Sequence, residues 1–311
     1  RSQFNLQFQL DTTLSDLERF PLRLNDLVVM EIKDHAPEKI VWSSGAEYRI
    51  SDLPAVGFSG DYYHRPAFLH GDWIEFQGCV MHIDPSGKGA DETAYAIVAH
   101  LNGNLFVLEV GSFREGYTET VLEGLAQAAK RQKVKLILLE DQFGQGMLAS
   151  LLQPYLRKIY PCTIEPTRSN IQKERRIINA LEPVLNQHRL IMNRSVIEVD
   201  SKARENDPVE KALAYQLFHQ LTHITVDKNC LQHDDRLDAL AGAVEYWNES
   251  LAIDEDRAIK ERESELWDLE LAAYKGEIEG ALDAKILGIP LDQLQKTGRT
   301  GKGWFSLAGR H

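Results

Sequence analysis

Three short segments of the 311-residue chain place acidic side chains where an apolar strand ends or a helix begins. They are His82-Ile83-Asp84, followed by Pro85-Ser86-Gly87-Lys88-Gly89, then Leu136-Ile137-Leu138-Leu139-Glu140-Asp141, then His233-Asp234-Asp235-Arg236-Leu237-Asp238. Charge that closes an apolar strand is costly if it turns inward. In open α/β sheets, the carboxyl ends of strands are where ligands bind. Mg²⁺ and Mn²⁺ prefer carboxylate and water oxygens and share phosphate groups with a substrate. Two such ions, about 3.5–4 Å apart, activate a water and stabilise the leaving oxygen of an in-line displacement. Cys79, Cys162 and Cys230 are scattered and odd in number, which offers neither a clustered zinc site nor a disulfide framework.

Each segment also has a purely structural reading. Asp84 suits the start of a turn. Asp141 suits the cap of the helix that follows, with Asp234 or His233 in the same role for the third segment. Asp235 and Asp238, three apart on one helix face, suit the positive end of a helix dipole. The joint pattern is more specific than any part, and the choice among Asp234, Asp235 and Asp238 stays open. His82, Tyr117 and Phe143 are either site-lining or core residues, with the core the commoner fate of such side chains.

The elements that must position these acids follow from periodicity. Leu27–Ile32 and Ile40–Ser43 read as short strands, and the Gly-, Pro- and Tyr-rich stretch Ser51–Asp72 as loop or linker. Gly78–Asp84, Thr93–His100 and Asn104–Val110 read as three strands, the last two joined by Asn102-Gly103, a strong hairpin signal. Helical spacing follows over Thr118–Arg131, a buried parallel strand over Leu136–Leu139, a helix over Met147–Ile159 and a short strand over Cys162–Ile164. Residues 171–187, 208–222 and 234–250 carry helical periodicity. This succession predicts an α/β fold with a ribonuclease-H-like mixed sheet, three antiparallel strands and then parallel ones, flanked by helices.

The composition is that of a globular protein, 43% hydrophobic and 26% charged, with no apolar run of membrane-spanning length, so no membrane partner is expected. The first residues, Arg1-Ser2-Gln3-Phe4-Asn5, contain neither an apolar signal nor an initiator Met, and read as a chain cut from something longer. Net charge is −12, which weighs mildly against nucleic acid. The charge is uneven, however: Arg157–Arg194 holds eight Lys/Arg against three Asp/Glu, whereas Glu249–Glu270 holds nine acids against three bases. Within the basic stretch, Arg168, Lys173, Arg175 and Arg176 are candidates for phosphate contacts with DNA; the bland alternative is a solvated helix face.

The segments HIDPSGKGADET, LILLEDQFGQGM and HDDRLDALAGA resemble the acidic motifs of the nuclease domain in bacteriophage terminase large subunits, among them the DNA maturases of short-tailed phages. FNLQFQLDTTLSD and NIQKERRIINALEPVLNQHRL resemble the same group, so the likeness runs over roughly residues 4–250. It implies an endonuclease that cuts concatemeric double-stranded DNA to genome length with two Mg²⁺ or Mn²⁺ ions. Carried over by motif, the catalytic metal ligands are Asp84, Glu140 and Asp235, with Asp238 a further ligand or orienting group. It also implies an ATPase domain, a portal or procapsid and a small terminase subunit as partners, in the cytoplasm of an infected bacterial host. The chain lacks the Gly-x-x-x-x-Gly-Lys-Ser/Thr phosphate loop, so ATP is not expected as a cofactor here. The expected division is 1–72 as the end of the ATPase half, linker and small β region, 73–252 as the nuclease domain, and 253–311 as a charged helical tail for procapsid docking.

Two other classes compete. A non-catalytic docking module would keep the fold and use the acids structurally. An actin-like sugar kinase shares the core, but it needs a second Gly-rich phosphate hairpin and an adenosine segment, and neither is present.

Overall fold

A computed structural model describes residues 19–85, 92–140 and 146–287. The opening stretch resembling the terminases, the Ser86-Gly87-Lys88-Gly89 loop, Asp141 with its helix-capping role, Phe143 and the glycine-bearing tail lie outside the described residues. The chain divides into two compact units, Arg1–Glu249 and Ser250–His311.

The first unit is organised by a nine-stranded mixed sheet. Its strands are β1 (Val28–Met30), β3 (Arg49–Ile50), β4 (Tyr63–His64), β6 (Gly78–Asp84), β7 (Thr93–Leu101), β8 (Asn104–Phe113), β9 (Leu136–Glu140), β10 (Thr163–Thr167) and β11 (Leu190–Asn193). They lie in the order β10-β9-β6-β7-β8-β11-β1-β4-β3. β6, β7 and β8 pair antiparallel, while β9 runs parallel to both β6 and β10. This is the ribonuclease-H-like order expected from the sequence. The hairpin between β7 and β8 turns on Asn102 (φ 50°) and Gly103 (φ 80°), two left-handed positions that Asn and Gly tolerate best.

The sheet is wider than periodicity suggests. β11 extends it beyond β8, and β1 and β4 follow, all parallel. A four-residue strand after His188-Arg189 gives too short a pattern to register as one. The stretch read as loop contributes β4 and most of β5 (Phe68–Glu75), which pairs with β2 (His35–Val41) in a separate two-stranded ribbon. Glycines and prolines there mask short pairings made by the fold rather than by propensity. The helical pattern over 208–222 is likewise broken into α5 (Val209–Leu213) and α6 (Leu217–His223).

Helices cover both faces of the sheet, and strand parity decides what each face receives. Met81, Ile83, Ile137 and Leu139 pack with α1 (Glu119–Arg131) and α2 (Met147–Ile159) through Val121, Leu125, Leu148 and Leu152. Val80 and Leu138 turn to the other core, where α3 (Lys173–Asn186) and α7 (Asp235–Leu287) supply Ile177, Leu181, Leu237, Leu240 and Val244. α4 (Arg194–Ser201) follows β11 and adds Val196 and Ile197 to that second core. β7, covered on both sides, is buried along its whole length, with Ala94, Ala96 and Ala99 leaving room for the layers.

The start of α7 lies against β6 at two glycines. A Cβ on Gly242 would meet the buried ring of His82, and one on Gly78 would meet the indole of Trp247. The His82 ring is buried, so Gly242→Ala is expected to destabilise the fold by about 1–3 kcal/mol, the usual cost of overpacking. Urea denaturation checks this; an unchanged midpoint would show that α7 tolerates a wider spacing.

Candidate metal centre

Period-two alternation fixes the first two acids. Val80, His82 and Asp84 lie on one face of β6, and Leu138 and Glu140 lie on the same face of β9. The parallel register sets Ile83 opposite Leu139, which carries Asp84 and Glu140 to neighbouring places at the sheet edge. The start of α7 crosses this face and adds Asp238. Carboxylate oxygens of Asp84, Glu140 and Asp238 all lie within 4.8 Å of one another, a grouping able to hold a metal ion. All three are buried, at 8%, 6% and 0% relative exposure, although nothing apolar is gained by burying them.

Two cations from α3 face the acids. Lys173 Nζ lies 2.9 Å from Asp238 Oδ2, 2.9 Å from Asp234 Oδ1 and 3.6 Å from Asp84 Oδ2. Arg176 donates a short hydrogen bond to Asp238 Oδ1, lies 3.8 Å from Glu140 Oε1 and reaches Glu245 Oε2 at 3.5 Å. The four expected DNA contacts therefore divide into two pairs. Lys173 and Arg176 turn to the acids, and Arg176 is buried; Arg168 and Arg175 are exposed.

Asp235, the third ligand carried over from the resemblance, does not join the three converging carboxylates. It opens α7 and its Oδ2 accepts from the backbone N–H of Glu92 at 3.3 Å. Asp238, one turn on, shares the sheet-facing side of the helix with Gly242 and Glu245, which explains why it arrives at Asp84. Asp234 supplies the carbonyl that accepts from Asp238 N at 2.8 Å and gives its carboxylate to Lys173. Tyr117 is half-buried, with a phenol pushed upward by burial and then by the charge of Asp84. His82 is a core residue: burial, with Arg176 adding to it, pushes its pKa down to about 3, and its Nδ1 has no hydrogen-bond partner.

A network that the sequence does not reveal holds the start of α7. Glu92 accepts from Ser112 Oγ at 2.5 Å and from Arg204 Nη2 at 2.7 Å, and it lies 3.4 Å from Arg114 and 3.5 Å from Arg236. Arg236 in turn pairs with Asp200 at 2.9 Å. Glu92 lies within the motif HIDPSGKGADET but is not among the expected site residues, because it closes no apolar strand and opens no helix.

The donor set fits a hard divalent cation. Three buried oxygen ligands converge, Asp238 Oδ2 has no hydrogen bond despite its contact with Lys173, and negative charge exceeds the charge of Lys173 and Arg176. Burial, then the neighbouring charge of Asp238, hold the Asp84 carboxyl well above the ordinary carboxylate range, with Lys173 opposing and Glu140 and Asp235 adding to the rise. An acid whose folded pKa is raised withdraws stability as pH rises from its ordinary value towards the folded one. In EDTA at neutral pH, Asp84→Asn is therefore expected to raise the melting temperature. With Mn²⁺ present the gain should vanish or reverse, because metal binding needs the ionised ligand. An equal or lower melting temperature for the variant in EDTA would show that Asp84 bears no such cost.

Residues 83–190 match the family model described as the ribonuclease H-like domain of the bacteriophage T7 terminase. The chain is 37% identical over 255 residues to the terminase large subunit of Enterobacteria phage T3, an alignment covering 82% of this chain and 44% of that protein. The chain thus spans less than half the length of this relative. Among solved structures, the Mn-soaked human cytomegalovirus terminase nuclease domain is similar at 13% identity and a TM-score of 0.39, over 57% of this chain and 86% of that one. The nuclease domain of the large terminase subunit of bacterial virus Sf6 is similar at 16% identity and a TM-score of 0.35, over 56% and 89%.

Proposed function

Residues 83–190 belong to the terminase ribonuclease H-like domain family, and on that premise we propose that the chain is a metal-dependent DNA endonuclease centred on Asp84, Glu140 and Asp238. The observation that supports this reading is the convergence of three buried carboxylates from two strand ends and a helix. A docking module would have no use for so costly a cluster, since buried like charges destabilise unless something binds them.

Two divalent ions, Mg²⁺ or Mn²⁺, would supply a polarised phosphodiester and an activated water when bound. The chain's own part is to hold the ligands in place. Parity and register fix Asp84 and Glu140. The two glycine contacts set the height of α7, and Arg176 orients Asp238 and Glu140 from below. Lys173 occupies the same negative field, so ion entry and the departure of its ammonium are linked. Asp235 and Asp234 stand beside the three ligands and add to the field that attracts a cation. Exposed Arg168 and Arg175 contact phosphates of the duplex.

The substrate in this reading is concatemeric double-stranded DNA, cut to genome length during packaging. The partners are an ATPase domain, a small terminase subunit and a portal or procapsid, with residues 253–311 as the docking tail, and the setting is the cytoplasm of the infected host. The division at 72/73 and 252/253 belongs to the same proposal. Among the described residues no helix is long and apolar enough to cross a membrane. The test is incubation of the purified chain with supercoiled plasmid. Nicking and linearisation with Mn²⁺ or Mg²⁺, stopped by EDTA, are expected, with little sequence preference because phosphate contacts carry no base information. Intact plasmid under all metal conditions would overturn the proposal.

A further inference from the structure

The sheet edge that holds the acids continues well past them. β8 is antiparallel to β7, as β6 is, so β8 runs with β6; β11 and β1 run parallel to β8. The carboxyl ends of β6, β8, β9, β11 and β1 therefore share one edge. An arginine follows β8 directly as Arg114, and another follows β11 as Arg194. Beyond β11, a concavity of about 380 Å³ opens at the end of β1, lined in part by Arg49, Arg65 and Arg194. At about 4.8 Å between strands, Arg114 stands roughly 10 Å along the edge from Asp84, and the concavity roughly 19 Å.

The geometry points to this edge as a phosphate track that seats duplex DNA alongside the point of cutting. The inference rests on the nuclease reading and names where its substrate lies. Around 19 Å of duplex carries about eleven backbone charges, so several arginines can be engaged at once. Arg49 and Arg65 are oriented by neutral groups: the Arg49 guanidinium lies 4.5 Å from the Tyr62 ring centroid, and Arg65 donates to the Glu47 carbonyl at 3.1 Å. Neither makes an ion pair among the described residues. Arg194 bonds Asp52 at 2.7 Å and Glu198 at 2.8 Å, but these carboxylates are 68% and 47% exposed, and such exposed pairs are weak enough for a phosphate oxygen to replace a carboxylate. Glu31, Glu47 and Asp52 also line the concavity and make its formal charge zero. On a chain of net charge −12, a neutral, arginine-bearing hollow is a place where a polyanion meets little repulsion.

The test is duplex binding by fluorescence anisotropy, with Ca²⁺ in place of Mn²⁺ and a labelled blunt duplex of about 30 base pairs, roughly 100 Å long, over a range of salt. The combined variant Arg49→Gln, Arg65→Gln, Arg194→Gln is expected to bind on the order of tenfold more weakly and to flatten the salt slope by about 0.9 for each phosphate no longer neutralised. The single variants guard against misfolding, since Arg49→Gln and Arg65→Gln remove exposed side chains and should each flatten the slope alone. Lys135→Gln, before β9 at the opposite sheet edge, should change nothing. Native-like circular dichroism with wild-type affinity and slope in all of these variants would overturn the track. Loss of binding to a separately purified terminase ATPase polypeptide, with DNA binding intact, would overturn it too. Failure of the nuclease reading looks different: the wild-type chain would leave plasmid intact with Mn²⁺ or Mg²⁺, whatever the arginine variants bind.

Discussion

Asp238→Ala is expected to abolish metal-dependent cutting, by a thousandfold or more, while Asp235→Ala retains most of it. Asp238 is fully buried and shares its position with Asp84 and Glu140, whereas Asp235 is half-buried and committed to the Glu92 backbone. Groups that act as a unit in the transition state cost on the order of 10²–10³ or more when one is removed. Asp84→Ala and Glu140→Ala should match Asp238→Ala, and double variants should be little worse than single ones. Metal affinity gives an independent readout: calorimetric titration with Mn²⁺ should weaken sharply for Asp238→Ala and only slightly for Asp235→Ala. If Asp235→Ala is the dead variant and Asp238→Ala cuts normally, the metal centre is built on the first residue of α7, and the buried triad is an ion-pair network with Lys173 and Arg176.

The second large effect is on stability. Glu92→Gln is expected to cost about 3–5 kcal/mol, because it leaves Arg204, Arg236 and Arg114 facing a site without its charge. For a domain of this size that is a fall of about 10 °C in melting temperature. Burial pushes the Glu92 carboxyl up, but Ser112, Arg236 and Arg204 together outweigh it and hold the group below its ordinary value. An acid with a depressed folded pKa contributes stability above its unfolded value and loses it as pH falls through the folded one. Wild type should therefore lose stability on acidification below about pH 4.5, and Glu92→Gln should lose less over the same interval. Parallel acid curves for the two proteins would show that Glu92 does not carry this dependence. Arg236 flanks Asp235 in the first turn of α7, so the variant should also weaken Mn²⁺ binding.

Much of this arrangement is legible in the residues alone. Asp84 and Glu140 announce themselves because an apolar run that stops on an acid has few structural motives. The Asn102-Gly103 turn fixes the hairpin, and the hairpin fixes which strands are neighbours. The third corner is harder. Asp234, Asp235 and Asp238 crowd one helix turn, and the sheet-facing side is set by Leu237, Leu240, Ala241 and Val244 together with Gly242. A glycine inside a helix marks a close approach, and Asp238 lies one turn before it. Arg176 reads as a surface cation, as arginines usually are. Its spacing to Ala180 and Val184 places it on the buried stripe of α3, a signal that composition alone overrides. β11, β4 and β5 escape because their pairing is imposed by neighbours rather than by runs of their own.

The distribution of the three candidate ligands along the chain also sets an order in time. Asp84 and Glu140 lie about 55 positions apart on strands that pair directly, whereas Asp238 follows Asp84 by about 150 positions. At roughly 5–20 residues per second, about eight to thirty seconds of synthesis separate the first candidate ligand from the last. Contacts so distant in sequence also close late in folding. While the stretch between Asp84 and Asp238 is being made, the set of candidate ligands is incomplete, and on the proposed function the capacity to cut would arise only once the start of α7 has been made and seated.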